Sequence, residues 1–265
     1  MSLSVIEPLR RRYGVTCSLE EFHETVNVVF HDLESEVYDD VHRDMWLSLP
    51  KQFDLLSSDV LKLVPEGELI ALDIGCGTGL SSELLLHTEL GSRIRHLHLL
   101  DTSPKMLERS RQRLSGRGIQ LEFQNGITSD VVASKAFDVI LTCSVLHHIP
   151  ELAAFGRDIR RMQKPRGVFL HLQDPNADSA ASPVRIQREA LYRRRSRPFL
   201  PGSVRRFLPN NVAAAVWRRV TGRQKKTYLD RVNDELLHRG TIRRPMHPPD
   251  IWAVTDIHIG NGEEI

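Results

Sequence analysis

The stretch LIALDIGCGTGL (residues 69–80) decides the fold. Its apolar first half has the character of a buried strand, and glycines at 75, 77 and 79 let the backbone approach a ligand where a helix begins. The spacing is G-x-G-x-G and not the G-x-G-x-x-G of dinucleotide-binding loops. Asp73 stands just before the first glycine, where a carboxylate is wrong for a diphosphate but suits an ammonium group. The loop therefore predicts a ligand with a cationic end.

Further along the chain, apolar runs alternate with helical patterns. Strands are predicted at 96–100, 120–123, 137–143 and 168–172, with helices at 79–89, after Ser103-Pro104 and at 151–163. This alternation is typical of an α/β fold with a doubly wound, mostly parallel, Rossmann-like sheet that binds ligands at the carboxyl ends of its strands. Asp101 ends the second strand, where a carboxylate can accept hydrogen bonds from ribose hydroxyls.

The flanks of this core are helical. A capping box at 18–21 starts an amphipathic pattern that predicts one long helix to about residue 48, interrupted by Pro50 and followed by a shorter helix. We therefore divide the chain into three parts. They are an N-terminal helical cap (1–66), a core domain (67–175) and an Arg-rich helical insertion or lid (176–265) with a candidate late strand at 251–259.

Composition excludes several classes of protein. Of 265 residues, 26% are charged and 40% are hydrophobic, as in ordinary globular domains. No apolar run reaches the roughly 20 residues of a membrane span, and the N-terminus lacks the apolar core of a signal peptide. The three widely spaced cysteines suggest neither disulfides nor a zinc site. We therefore expect a cytoplasmic protein with no membrane association and no metal.

The small net charge of +2 hides an asymmetry. Residues 1–156 hold 14 basic and 23 acidic side chains, whereas residues 157–231 hold 19 basic and 5 acidic ones. The basic block at 185–226 could attract phosphates or carboxylates. A solvated Arg-rich lid, an anionic or carrier-bound small acceptor, and nucleic acid are the alternatives, in that order of preference.

Four motifs together resemble those of class I S-adenosylmethionine-dependent methyltransferases. They are LDIGCGTG (72–79), LLDTSPKML (99–107), FDVILTCSVLHHIP (137–150) and KPRGVFL (164–170). The resemblance covers roughly residues 69–173. It implies S-adenosylmethionine as the cofactor and a seven-stranded sheet with a reversed last strand.

Carried over by position, the resemblance implies roles for individual residues. The amino end of the cofactor would meet Asp73, its ribose Asp101, and its adenine Thr102 and Met106, while Ser144 would lie near the transferred methyl group. The candidate cofactor-binding residues are Asp73, Gly75, Cys76, Gly77, Gly79, Asp101, Thr102, Met106, Asn125, Gly126, Cys143 and Tyr38.

The chain also departs from the family pattern. Ile127 stands where members often carry an acid near the adenine, and Asn125 is a candidate substitute. The usual last strands have no counterpart after the fifth strand, except for the candidate at 251–259. We expect either that a C-terminal segment is missing or that the insertion displaces the usual ending.

Two histidines follow the fourth strand, on the side where the acceptor is expected. His148 is the preferred candidate for a general base, with His147 second; the alternative is that both only pack in the loop. A base is needed only if the acceptor holds its proton at neutral pH. Neither histidine has metal-ligand spacing with a nearby Cys or Asp.

The sequence thus predicts an enzyme that methylates an O, N or C atom of a small metabolite. The first alternative is an RNA-modifying methyltransferase that uses the block at 185–226. The second alternative is a non-catalytic protein that binds S-adenosylmethionine. Fold alone does not decide among these.

Overall fold

A computed structural model describes residues 3–174 and 226–258. Within them lies a parallel five-stranded sheet with strand order β3-β2-β1-β4-β5. The strands are β1 (Leu69–Ile74), β2 (Ile94–Asp101), β3 (Gln120–Asn125), β4 (Phe137–Cys143) and β5 (Gln163–Leu172). The predicted α/β class and all five core strands are confirmed. The order reverses between β1 and β4, so the crevice for a ligand opens at the carboxyl ends of these two strands.

Helices cover both faces of the sheet. The connections between strands carry α5 (Leu80–Leu86), α6 (Glu89–Ser92), α7 (Pro104–Leu114) and α8 (Leu152–Met162). The last strand begins earlier than the predicted residue 168, because residues 164–167 lie inside β5. The register shifts between Phe137 and Val139 of β4, and Arg166 has a φ of 65°. The strand therefore absorbs these residues as a bulge and continues.

The N-terminal region is helical, but its helices break elsewhere than expected. They are α1 (Glu7–Arg12), α2 (Leu19–Glu34), α3 (Tyr38–Val41) and α4 (Arg43–Leu61). The prediction of one helix to residue 48 is wrong, because α2 ends at Glu34. There the Ser35 hydroxyl turns back to donate to the carbonyl of Asp32 at 2.7 Å. Local side-chain bonding of this kind competes with the helix ladder.

Pro50 does not interrupt the following helix either, since it lies inside α4. Leu49 and Phe53 on either side of it are fully buried against the sheet. Proline removes only one hydrogen bond from the ladder, and burial of these two large side chains offsets that loss.

The predicted strand at 251–259 is also wrong. Residues Pro248–Thr255 form a helix, α10, which follows α9 (Tyr228–His238). Prolines at the first helical positions favour a helix start. Ile251, Val254 and Ile257 then recur at helical spacing and are all fully buried. No sixth strand occurs among residues 3–174 and 226–258.

The two ends of the described chain share one hydrophobic core. Phe30 of α2 makes edge-to-face ring contacts with Tyr228 at 5.7 Å and Trp252 at 5.0 Å between centroids. Residues from α1, α2, α9 and α10 surround this contact in a cluster separate from the two faces of the sheet. The N-terminal cap is therefore completed by residues 226–258.

Most of the predicted Arg-rich insertion, including nearly all of the basic block at 185–226, lies outside the described residues. The helix α9 confirms helical structure for part of 226–240. Among the residues that the structure describes, no helix has the length and apolar character to cross a membrane.

Candidate functional site

The glycine loop runs from the end of β1 into α5 and is held against β2. The amides of Gly75 and Cys76 both donate to the carbonyl of Leu100, at 2.7 and 3.1 Å. Gly75 has a φ of 64°, and a Cβ atom there would lie 2.6 Å from Cγ2 of Val145. At Gly77, with φ of 53°, no described heavy atom lies within 4 Å of a Cβ position. The loop therefore packs against Val145 at Gly75 and leaves open space at Gly77, where a ligand can approach the backbone.

Asp101 ends β2 directly beside this loop. Its Oδ2 accepts from the amide of Gly77 at 2.8 Å, and its Oδ1 accepts from the amide of Ser103 at 2.8 Å. Burial raises the pKa of this carboxyl group, and both amides oppose that rise. Each carboxylate oxygen can accept a second hydrogen bond, so the group retains capacity for a pair of hydroxyls.

Asp73 lies deeper, in the last part of β1. Its Oδ2 accepts from the hydroxyls of Ser81 at 2.8 Å and Ser82 at 2.6 Å. Its Oδ1 is buried without a hydrogen-bond partner among the described residues. Burial raises the pKa of Asp73 to about 7, although both serines oppose this. An unpartnered buried carboxylate oxygen is what an ammonium group needs.

The residues expected around an adenine ring follow β2 and β3. The side-chain amide of Asn125 donates to the carbonyls of Asp101 and Thr102, both at 2.9 Å, and the amide of Gly126 donates to Asp101 at 3.1 Å. The NH₂ group of Asn125 is therefore engaged, and its oxygen remains available to a ligand. Met106 is buried at the start of α7.

Four further residues that the sequence places near the cofactor make contacts within the fold. Gly79 precedes α5 and lies against Ser110, so it serves the packing of α5 on α7. Cys76 and Cys143 are buried, and burial raises the pKa of both thiols. Both cysteines therefore present neutral thiols at physiological pH. The amide of Ser144 donates to the carbonyl of Leu172 at 2.8 Å and joins the ends of β4 and β5.

The cap carries a titratable cluster above the sheet that the sequence did not reveal. Glu34 is buried, with Oε2 3.4 Å from His31 Nδ1 and Oε1 3.1 Å from His42 Nε2. Burial opposes ionisation, but the two histidines lower the pKa of Glu34 to about 2. The ring of Tyr38 lies 4.4 Å from that of His42, and burial raises the pKa of its phenol. Tyr38 is thus a largely buried side chain next to the cluster of Glu34, His31 and His42.

Hydrogen bonds fix the cap to the core next to the glycine loop. Asp32 accepts a hydrogen bond of 2.5 Å from the hydroxyl of Ser103, which lies two residues after Asp101. Asp39 accepts from the Thr78 hydroxyl at 3.1 Å and forms an ion pair with Arg113 of α7. These contacts hold α2 and α3 over the same end of the sheet as the carboxylates described above.

The two histidines predicted after β4 lie in a 3-10 turn (Leu146–His148) with ring centroids 4.1 Å apart. His147 Nδ1 donates to Oδ1 of Asp174 at 2.8 Å. His148 Nδ1 donates to the carbonyl of Thr255 at 2.8 Å, so α10 helps to orient it. Burial lowers the pKa of His148 well below its usual value, helped by the neighbouring histidines. His148 is therefore neutral at physiological pH.

Two acids complete this cluster, and sequence spacing could not have found them. Asp174 lies 27 positions from His147, and its Oδ2 is buried without a described hydrogen-bond partner. Asp256 Oδ1 lies 3.5 Å from His148 Nδ1. Ligand atoms of His147, His148 and Asp256 lie within 4.8 Å of one another, so the fold creates a grouping that the local sequence lacks.

Comparison with known proteins finds matches to the central part of the chain. Residues 72–171 match the model of a methyltransferase domain. The ubiquinone biosynthesis O-methyltransferase of Methylobacterium sp. (strain 4-46) is 30% identical over 112 residues, which are 42% of this chain and 43% of that protein. The protein of the same name from Xylella fastidiosa (strain 9a5c) is 30% identical over 120 residues, 44% and 45% of the two chains. The chain thus spans less than half the length of these curated relatives.

Two solved structures are similar to parts of the chain, with TM-scores below 0.5. A putative S-adenosyl-L-methionine-dependent methyltransferase from Methanococcus maripaludis has a TM-score of 0.46 at 16% identity, covering 78% of this chain and 84% of that one. The YcgJ protein of Bacillus subtilis has a TM-score of 0.39 at 21% identity, covering 47% and 53%. The likeness to known families therefore lies in residues 72–171, which match a methyltransferase domain.

Proposed function

We propose that this protein transfers a methyl group from S-adenosylmethionine to a hydroxyl oxygen of a small molecule. The observation that carries the proposal is the juxtaposition, at one end of the sheet, of two different sites. One is the glycine loop with Asp73 and Asp101. The other is the His147–Asp174 pair after β4.

The residues present fit the cofactor. The open space at Gly77 leaves room for the ligand. The carboxylate of Asp101 can accept hydrogen bonds from two ribose hydroxyls. The unpartnered Oδ1 of Asp73 would receive the ammonium group. Met106 and the oxygen of Asn125 would flank the adenine, and Tyr38 would cover the site from the cap. Bound S-adenosylmethionine supplies a methyl group already activated by its sulfonium.

Within this site, the chain's own residues supply alignment, exclusion of water and a proton acceptor. Methyl transfer is an in-line displacement, so the new O–C bond forms as the S–C bond breaks. The cap holds the acceptor in line and keeps water out. His147 Nε2 takes the hydroxyl proton, since its Nδ1 is held by a carboxylate that stabilises the resulting imidazolium. His148, which stays neutral, accepts a hydrogen bond from the acceptor through Nε2.

As the general base we now prefer His147 over His148. The lowered pKa of His148 makes it a weak base. Its Nδ1 donates to the carbonyl of Thr255 at 2.8 Å, and the carboxylate of Asp256 lies farther away, at 3.5 Å. His147 has the carboxylate partner that a general base needs.

Two lines of support favour a small acceptor with a hydroxyl group. The curated relatives are named as O-methyltransferases of ubiquinone biosynthesis. The cap also brings the largely buried side chains of His31 and Tyr38 near Asp101, and buried surroundings suit a small molecule better than a nucleic-acid strand. The three cysteines are unpaired, which supports a reducing, cytoplasmic location.

The proposal is tested by incubating the protein with methyl-labelled S-adenosylmethionine and either a small-molecule extract or total RNA. We expect label in a low-molecular-mass fraction, with a mass increase of one methyl group on oxygen. Label in RNA that falls steeply with added salt would instead support the RNA-modifying alternative. Label in neither fraction from a protein that binds the cofactor would support a non-catalytic role.

A further inference from the structure

A second group of ligand-type side chains lies away from the cofactor crevice, on the strands β2 and β3. His96 and His98 alternate along β2 and therefore project from the same face of the sheet. Glu122 of β3 is the register partner of His98. One ligand atom from each of these three residues lies within 4.8 Å of the other two. The fold thus collects two imidazoles and a carboxylate at one point.

The spacing of these atoms is that of ligands around a shared ion. Oε2 of Glu122 lies 3.3 Å from Nδ1 of His98 and 3.6 Å from Nε2 of His96. Zinc bonds to nitrogen and oxygen are about 2.0–2.1 Å, so two ligands in a tetrahedral site are about 3.3 Å apart. Neither contact has the geometry of a hydrogen bond. One carboxylate oxygen therefore lies within 3.6 Å of a nitrogen atom of each ring, as ligands of one ion do.

Two further observations point to a bound cation. Nε2 of His96 is buried and has no hydrogen-bond partner among the described residues, which is costly for a polar atom. The ring of His98 is held edge-on by Phe137 at 5.0 Å between centroids, which fixes its orientation. An imidazole nitrogen held in a fixed orientation is a common metal ligand.

We propose that His96, His98 and Glu122 form a binding site for a divalent transition metal of the Zn²⁺ class. The ligands would be His96 Nε2, His98 Nδ1 and Glu122 Oε2, with water in the fourth position. Two imidazoles and a single carboxylate favour zinc, cobalt or nickel over magnesium and calcium, which prefer all-oxygen sites. The side chain of Glu122 is 54% exposed, so an ion can enter from solvent.

The metal would have a structural role in this position. The strand β3 is an edge strand, paired only with β2 in the described sheet. A metal held by His96, His98 and Glu122 joins these two strands independently of their backbone hydrogen bonds. Asp101 lies three residues after His98 on β2, about 10 Å away along the strand. A metal at this site therefore does not contact the cofactor site.

The test is a titration of the full chain with Zn²⁺ in competition with a chromophoric chelator, after removal of metal with EDTA. The variants Glu122→Gln and His98→Gln remove one ligand each. His238→Gln, at the exposed end of α9, is the matched control. His147→Asn reports on the separate group of His147, His148 and Asp256. Co²⁺ is added in parallel, because its visible absorption reports tetrahedral nitrogen and oxygen coordination.

We expect one Zn²⁺ to be lost, or its affinity to fall at least about ten-fold, in Glu122→Gln and His98→Gln. The two control variants should keep it. Zn²⁺ should also raise the thermal unfolding midpoint of the wild-type chain but not of Glu122→Gln, and Mg²⁺ should raise neither. The proposal is overturned if the wild type binds no Zn²⁺, or if only His147→Asn loses it.

Discussion

His147 and Asp174 form a buried donor–acceptor pair, with 2.8 Å between Nδ1 and Oδ1 and side chains only 8% and 1% exposed. A carboxylate can only accept, so this contact fixes the tautomer of the imidazole and leaves Nε2 as its basic nitrogen. The pair links the turn after β4 to the end of β5. It therefore holds a proton acceptor at the carboxyl end of the sheet.

The first prediction concerns this pair. Replacing Asp174 by Asn should lower the rate of methyl transfer about 100-fold, because the imidazolium loses its carboxylate. His147→Asn should cost about the same, and the double variant should lose little more, since the two residues act as one unit. The measurement is single-turnover transfer with pH varied from 6 to 9. A larger loss in His148→Asn than in His147→Asn would contradict the assignment.

The second prediction concerns Asp73, whose pKa is raised to about 7 by burial. Between about pH 4 and pH 7 the folded chain keeps a proton that the unfolded chain has released. The free energy of unfolding therefore falls as the pH rises through this range. Asp73→Asn should raise the thermal midpoint of the cofactor-free protein at pH 8, and the gain should vanish near pH 4.

The same variant should bind S-adenosylmethionine at least about ten-fold more weakly, because the ammonium group loses a charged partner. The control is Asp138→Asn, which removes the charge of the buried carboxylate that pairs with Lys164 at 2.8 Å. That change should lower the midpoint at pH 8. Equal stability of Asp73→Asn and the wild type at pH 8 would show that the proposed charge burial is absent.

The third prediction concerns the attachment of the cap. Arg113 contacts Asp39 and Thr78 and stacks over the ring of Trp46 at 5.1 Å. Arg113→Ala should loosen α3, increase amide hydrogen exchange there and weaken cofactor binding by about 1 kcal/mol or more. Lys62→Ala, which removes an exposed ion pair, should change neither. If amide exchange in α3 is unchanged in Arg113→Ala, these contacts of Arg113 do not hold the cap in place.

The fourth prediction concerns the shared core of the two chain ends. Phe30 is 1% exposed and packs edge-on against Tyr228 and Trp252. Phe30→Ala should lower the free energy of unfolding by about 3–5 kcal/mol and destabilise α9 and α10 together with α2. Denaturant unfolding with Leu47→Ala, an exposed position of α4, as control checks this. A loss confined to α2 would mean that residues 226–258 fold independently of the N-terminal helices.

The sheet and the cofactor crevice followed from local sequence because their signals are local. The strands are short apolar runs, and the glycine loop and Asp101 lie at fixed distances from their ends. Glu34, Asp174 and Asp256 carried no such signal, since each acquires its partner only through folding. The prediction of a strand at 251–259 is wrong because the apolar residues of α10 also fit an apolar run, and the two prolines at the start of α10 are the local signal for a helix.

Calorimetric titration with S-adenosylmethionine and S-adenosylhomocysteine tests the central claim most directly. It would use the wild-type chain, Asp101→Ala, and Asp59→Ala as an exposed control on α4. The account predicts micromolar binding that is lost in Asp101→Ala and kept in Asp59→Ala, with all three proteins folded by circular dichroism. A folded wild-type chain that binds neither compound, or an Asp101→Ala variant that binds as well as the wild type, would contradict it.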